Sequence, residues 1–132
     1  MSHQTQSVLM KLAHDNVLKI YGIPNCNSVK KTRAWLEARD IAYQFHDFKK
    51  SGIDAATLKK WLKTIPLDVL INKKGTTWRG LSDAEKAMAD APETAIALMM
   101  AKTSVIKRPV VVSGAQIFVG HDENTLQKLL PS

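Results

Sequence analysis

The 132-residue chain carries a single cysteine, Cys26, at a position where a thiol is easily activated. A β-favouring run, Val17 to Tyr21, halts at the turn Gly22-Ile23-Pro24-Asn25, and a helical pattern opens at Asn27 or Ser28. The nucleophilic form of cysteine is the thiolate, which a helix N-terminus or a neighbouring cation favours. Cys26 has both, in the unpaired N–H groups of a first helical turn and in Lys30, Lys31 and Arg33 close behind it. The alternative is a buried, inert cysteine, and the polar flanks Asn25 and Asn27 argue against it. A strand-to-helix junction also lies at the carboxyl edge of a sheet, where open α/β folds bind ligands. One cysteine excludes an intrachain disulfide framework and a multi-cysteine zinc site.

Arg108-Pro109 is the second feature. A proline that opens a strand cannot donate to the ladder, and the residue before it is held extended, so Lys107 and Arg108 are presented at the strand's start. Arg108 offers five donors in a planar fork suited to an oxyanion. The sequence leaves open whether the bond is cis and whether Arg108 is a plain surface residue. In Cys26-Asn27-Ser28-Val29, valine occupies the place of a dithiol enzyme's resolving cysteine, so any disulfide made in turnover is with another molecule. Glutathione, abundant and negatively charged, agrees with the basic surroundings. His46 reads as strand decoration, and His3, His14 and His121 have no metal spacing with Cys26, so no metal site is expected. Trp35, Trp61 and Trp78 read as packing residues, and Met88, Met99 and Met100 as helix core.

A formal net charge of +7 points to an anionic partner: nucleic acid, a lipid surface or a small acid. Lys59, Lys60 and Lys63 read as a solvated helix face, and nothing in the spacing matches a nucleic-acid-binding motif. The stretch Val8 to Ala13 is broken by Lys11 and lacks a cleavage pattern, and Ala95 to Ala101 is far short of a bilayer span. A soluble, cytoplasmic protein is expected. Residues 1–16 read as a flexible tail and 17–132 as a single domain, with 45% hydrophobic residues to supply its core.

These residues need elements to hold them. After the first strand and a helix to about Arg39, Ala42 to Phe48 reads as a second strand, and Asn or Ser residues are expected to cap the helix. Asp54 is the expected N-cap of a helix through Trp61, and Leu67 to Ile71 is a short apolar segment. Ser82 and Glu85 have capping-box spacing, and Pro92 suits the first position of a helix running through Met100. Pro109 to Ser113 and Gln116 to Val119 form a hairpin around Gly114-Ala115, and Asp122 to Leu130 is a closing helix. The order is β-α-β, then β-β-α, with helices inserted between. That makes a small mixed sheet with helices on its faces, an α/β fold.

Tyr21 to Ser28 (YGIPNCNS), Thr76 to Leu81 (TTWRGL) and Arg108 to Val112 (RPVVV) together resemble the arsenate-reductase-like (ArsC/Spx) family, within it the YffB-type branch. The resemblance runs from Val17 to Leu130 and implies a thioredoxin-like fold with a helical insertion. It further implies Cys26 as nucleophile, Arg108 as the group that binds the oxyanion or steadies the thiolate, and Pro109 as a cis-proline facing Cys26. Where related arsenate reductases carry two more arginines, this chain has Asn72 and a residue near Gly120, and Val29 interrupts the Cys-x-x-Cys switch of Spx regulators. The function expected is a glutathione-dependent thiol/disulfide reductase with no bound cofactor and glutathione as co-substrate. Cys26 and Arg108 are its catalytic residues, and Asn25, Asn27, Ser28, Lys30, Asn72, Lys73 and Pro109 bind substrate or glutathione. Glutaredoxin is a further candidate partner. The alternatives are an Spx-like regulator that docks on RNA polymerase and a glutaredoxin-coupled arsenate reductase.

Overall fold

Alternation organises the sheet. In β1 (Leu18–Gly22), Leu18 and Ile20 are buried on one face, while Lys19 and Tyr21 belong to the other. The computed structural model describes residues 17–129. The expected tail, His3, His14 and Leu130 lie outside them. From β1 the chain crosses through α1 (Asn27–Ala38) to β2 (Gln44–Asp47), which pairs parallel with β1. β3 (Val110–Ser113) lies antiparallel on the other side of β1, and β4 (Gln116–Val119) closes the order β2-β1-β3-β4. Gly114, at φ 60°, makes the hairpin turn between β3 and β4 that needs a left-handed residue.

Each face has its own core. α1 and α8 (Glu123–Leu129) bring Trp35, Leu36 and Leu126 against Leu18, Ile20 and Val111. The opposite face receives the insertion: α2 (Phe48–Ser51), α3 (Ala55–Leu62), α4 (Leu67–Leu70), α5 (Thr76–Arg79), α6 (Asp83–Ala87) and α7 (Pro92–Ala101). Their core, with Phe48, Leu58, Trp61, Leu98 and Met99 at its centre, reaches the sheet at Val110. This is the thioredoxin-like α/β architecture expected, with its helical insertion. No helix among the described residues is long and apolar enough to cross a membrane.

The expected helix starts are in place: Asp54 accepts from the Thr57 amide at 2.7 Å, Ser82 and Glu85 form a reciprocal capping box, and Pro92 opens α7. Three expectations need correction. No Asn or Ser side chain caps α1, because Cys26 itself occupies the N-cap. The second strand stops at Asp47, whose carboxylate accepts from the Lys49 amide and turns the chain into α2, carrying Phe48 into the insertion core. Met100 is not core: it lies on the outer side of α7, 44% exposed, while Met99 is fully buried.

Candidate active site

The site begins with a close approach. A Cβ on Gly22 would stand 2.6 Å from Val29 Cγ2, so only glycine lets the first turn of α1 press onto the end of β1. Val29 is thereby fully buried, and the chain between the two elements is held. Cys26, extended at φ −122° and ψ 129°, is the N-cap of α1, and its carbonyl accepts from the Lys30 amide at 2.9 Å. The thiol is half-buried.

Arg108 arrives from the far end of the insertion. The Lys107 amide donates to Leu70 at 2.7 Å, and the Asn72 amide donates to Val105 at 2.8 Å around a bridge between Ile71 and Ile106. The chain then passes a cis Arg108-Pro109 bond into β3, where Val110 pairs with Tyr21, and the Pro109 carbonyl accepts from Gly120 at 2.8 Å. Both Cys26 and Arg108 therefore lie at one end of the central strand pair. Arg108 Nη1 donates to the Ser104 carbonyl at 3.0 Å, and its Nε is buried without a partner among the described residues. A buried donor left in that state is costly.

Burial pushes the Cys26 thiol up, but the amides of Val29 and Ser28 and the hydrogen-bonding, charged guanidinium of Arg108 outweigh it and hold the thiol below its ordinary range. The sulfur makes no cap bond of regular geometry, so these donors act as dipoles and charge favouring the anion rather than as an anchor for the neutral thiol.

Lys30 does not provide the cation at the sulfur: its Nζ turns back to Asn25 Oδ1 at 3.3 Å, and Arg108 takes that place. Asn27 is the first residue of α1, beside Ser28. Asn72 lies next to the strand-like segment that leads to Arg108, and its Oδ1 accepts from the Lys74 amide at 3.2 Å. Lys73 faces Asp68 and the ring of Trp78 on the surface. Pro109 is the cis residue between Arg108 and β3. Two contributors escape the sequence reading. The Val29 amide is readable only as one of the unpaired donors in a helix's first turn, and Ser104 acts through a main-chain carbonyl, which has no sequence signal. Among the described residues no group of three His, Cys, Asp or Glu could hold a metal ion.

The ArsC family model matches residues 21–129. An uncharacterised protein of Haemophilus influenzae is 33% identical over 111 residues, covering 84% of this chain and 96% of that protein. The global transcriptional regulator Spx of Listeria innocua is 24% identical over 118 residues, covering 87% and 88%. Among solved structures, a protein named YFFB superimposes with a TM-score of 0.81 at 39% identity, covering 87% of this chain and 100% of that one. An arsenate reductase related protein from Brucella melitensis does so with a TM-score of 0.67 at 43% identity, covering 85% and 92%. The matched stretch runs from the end of β1 through Cys26 and Arg108 to α8, and the chain belongs to the ArsC family.

Proposed function

We propose that this chain is a monothiol, glutathione-linked thiol/disulfide reductase. What carries the reading is Cys26 at a helix N-cap with Arg108 brought to its sulfur from the other end of the insertion. The Cys26 thiolate attacks one sulfur of a disulfide, a Cys26–S bond forms, the old S–S bond breaks, and the second sulfur leaves as a thiolate. With Val29 in place of a second cysteine, the mixed disulfide is resolved from outside: a glutathione thiolate attacks the Cys26 sulfur and expels the first substrate sulfur as a thiolate, and a second glutathione thiolate attacks the resulting Cys26–glutathione disulfide, releasing Cys26 and oxidised glutathione. Two electrons pass from external thiols to the substrate disulfide, and no bound cofactor is required. Arg108 steadies the anion through the charge and hydrogen bonding of its guanidinium. Asn25, Asn27, Ser28 and Lys30 around the start of α1, Asn72 on the segment paired to the one that leads into Arg108, and Lys73 next to it are the groups offered to glutathione. The reducing, glutathione-rich cytoplasm is the compartment this chemistry fits.

Intact mass after incubation with oxidised glutathione tests it. One glutathionyl group on the wild-type chain, removed by reduced glutathione plus glutaredoxin, is the expected result. Absence of the adduct, together with alkylation of Cys26 at an ordinary thiol pH, rules the mechanism out.

The family relative named as the regulator Spx supports a second reading, a protein that docks on RNA polymerase. On that reading a Cys26→Ser chain still captures polymerase; on the first, no capture occurs with either form. Arsenate turnover with glutathione and glutaredoxin is expected to be negligible, since Asn72 and a residue near Gly120 stand where the family resemblance implies two further arginines.

A further inference from the structure

A cavity of about 470 Å³ opens on the insertion-facing side of the sheet, at the opposite end of β1 from Cys26. Its floor is the alternate set of strand residues, Lys19 and Tyr21 from β1 and Ile117 from β4, and its wall is the end of α3, with Trp61, Lys60 and Lys63. The hairpin turn at Gly114 and Ala115 closes the rim. Neither Cys26 nor Arg108 lines it, and from Val17 at its edge to Gly22 the strand advances about 17 Å.

Its chemistry is two-sided. Ile117 and the Trp61 and Tyr21 rings, packed edge to face at 4.8 Å, offer apolar and aromatic surface. Three lysines from two different elements line it. Lys60 and Lys63 stand near the C-terminal end of α3, where a cation is favoured without any ligand. Lys19 has no such reason. It is half-buried on a strand face it shares with Tyr21 and Val112, and none of the three lysines has a carboxylate partner among the described residues. A concave site lined by lysines without counterions focuses positive field into the cavity and attracts an anion. The volume falls within the range of about 300–1,000 Å³ typical of small-molecule sites.

We propose that this cavity is a second ligand site, separate from the thiol, for a small organic anion with an apolar or aromatic body. The acidic group meets Lys19, Lys60 and Lys63, and the body lies against Trp61, Tyr21 and Ile117. Part of the positive charge that the thiol site leaves unused thereby acquires a role.

The probe is the aromatic sulfonate 8-anilinonaphthalene-1-sulfonate, titrated by fluorescence into the full-length protein, with its uncharged counterpart N-phenyl-1-naphthylamine as control. Saturable one-to-one binding is expected, unaffected by Cys26→Ser and weakened about fivefold to tenfold in a Lys60→Gln, Lys63→Gln double variant. Both lysines are exposed, so the variant folds normally, which circular dichroism checks. Amide shifts in an NMR titration are expected at Thr57, Thr64 and Ala115. The proposal is overturned if binding does not saturate, if the double variant or the neutral analogue binds as tightly as the reference pair, or if the shifts gather at Cys26, Asn27 and Ser28.

Discussion

Arg108 holds its place through bonds of unequal kind. Nη1 is tied to a backbone carbonyl, Nε is sealed from solvent, and the guanidinium as a whole favours the Cys26 anion. Removing the charge while keeping the shape isolates the electrostatic part. In Arg108→Gln, the midpoint of iodoacetamide alkylation against pH is expected to move up, whereas Lys30→Gln leaves it in place, because Lys30 turns to Asn25. A downward shift in Arg108→Gln, or an equal shift in both variants, contradicts the assignment. The sign carries over to stability. The folded-state value lies below the unfolded one, so the thiolate stabilises the fold above the ordinary thiol range, and that contribution fades as pH falls through the lowered value. The stability gap between wild type and Cys26→Ser should therefore widen as pH rises across that window, in urea titrations at successive pH values.

At the scale of elements, the thiol depends on how tightly α1 meets β1. Gly22→Ala sets a Cβ against Val29 Cγ2, and Val29 is fully buried and unable to withdraw freely. A loss of about 1–3 kcal/mol is expected from overpacking, read as a lower urea midpoint, with slower alkylation of Cys26 as the helix start is displaced. An unchanged midpoint would show that the junction yields more easily than its packing indicates. The longer helices and one capped turn were legible in the sequence from periodicity or caps: α1 in its apolar stripe, α3 through Asp54, α7 through Pro92, and the five-residue α6 through its Ser82 and Glu85 capping box alone. The four-residue turns α2, α4 and α5 were not, since a single helical turn has no period to detect and is held by its neighbours. Cys26 itself could be placed from local pattern. The meeting of Cys26 with Arg108 could not, because it is made by the pairing of β1 with β3 and by the bridge between Ile71 and Ile106; only family resemblance pointed to it.

For the whole molecule, the two helices that share one face of the sheet, α1 and α8, must be held in register by contacts distant in sequence. One such tie is polar. Thr32, fully buried in α1, shares a 2.8 Å hydrogen bond with His121 Nδ1 in the segment between β4 and α8. Thr32→Val keeps the volume and deletes the hydroxyl, leaving a ring nitrogen unpaired in a partly buried place. A cost of about 1–3 kcal/mol is expected, together with faster amide hydrogen exchange in α8, which rests on Leu126 and this tie. Global destabilisation without a local change in α8 would assign the cost to α1 alone.

The bond from Arg108 to Ser104 has a further consequence, which concerns entropy. A free arginine side chain carries about 2 kcal/mol of rotamer freedom that a binding partner must suppress. Here much of that ordering has already occurred on folding, since the guanidinium is fastened to main chain that the insertion core and the Ile71–Ile106 bridge immobilise. An anion arriving at Cys26 meets a donor set in position, so its affinity reflects the fit of its own shape rather than the cost of arresting the protein's side chain.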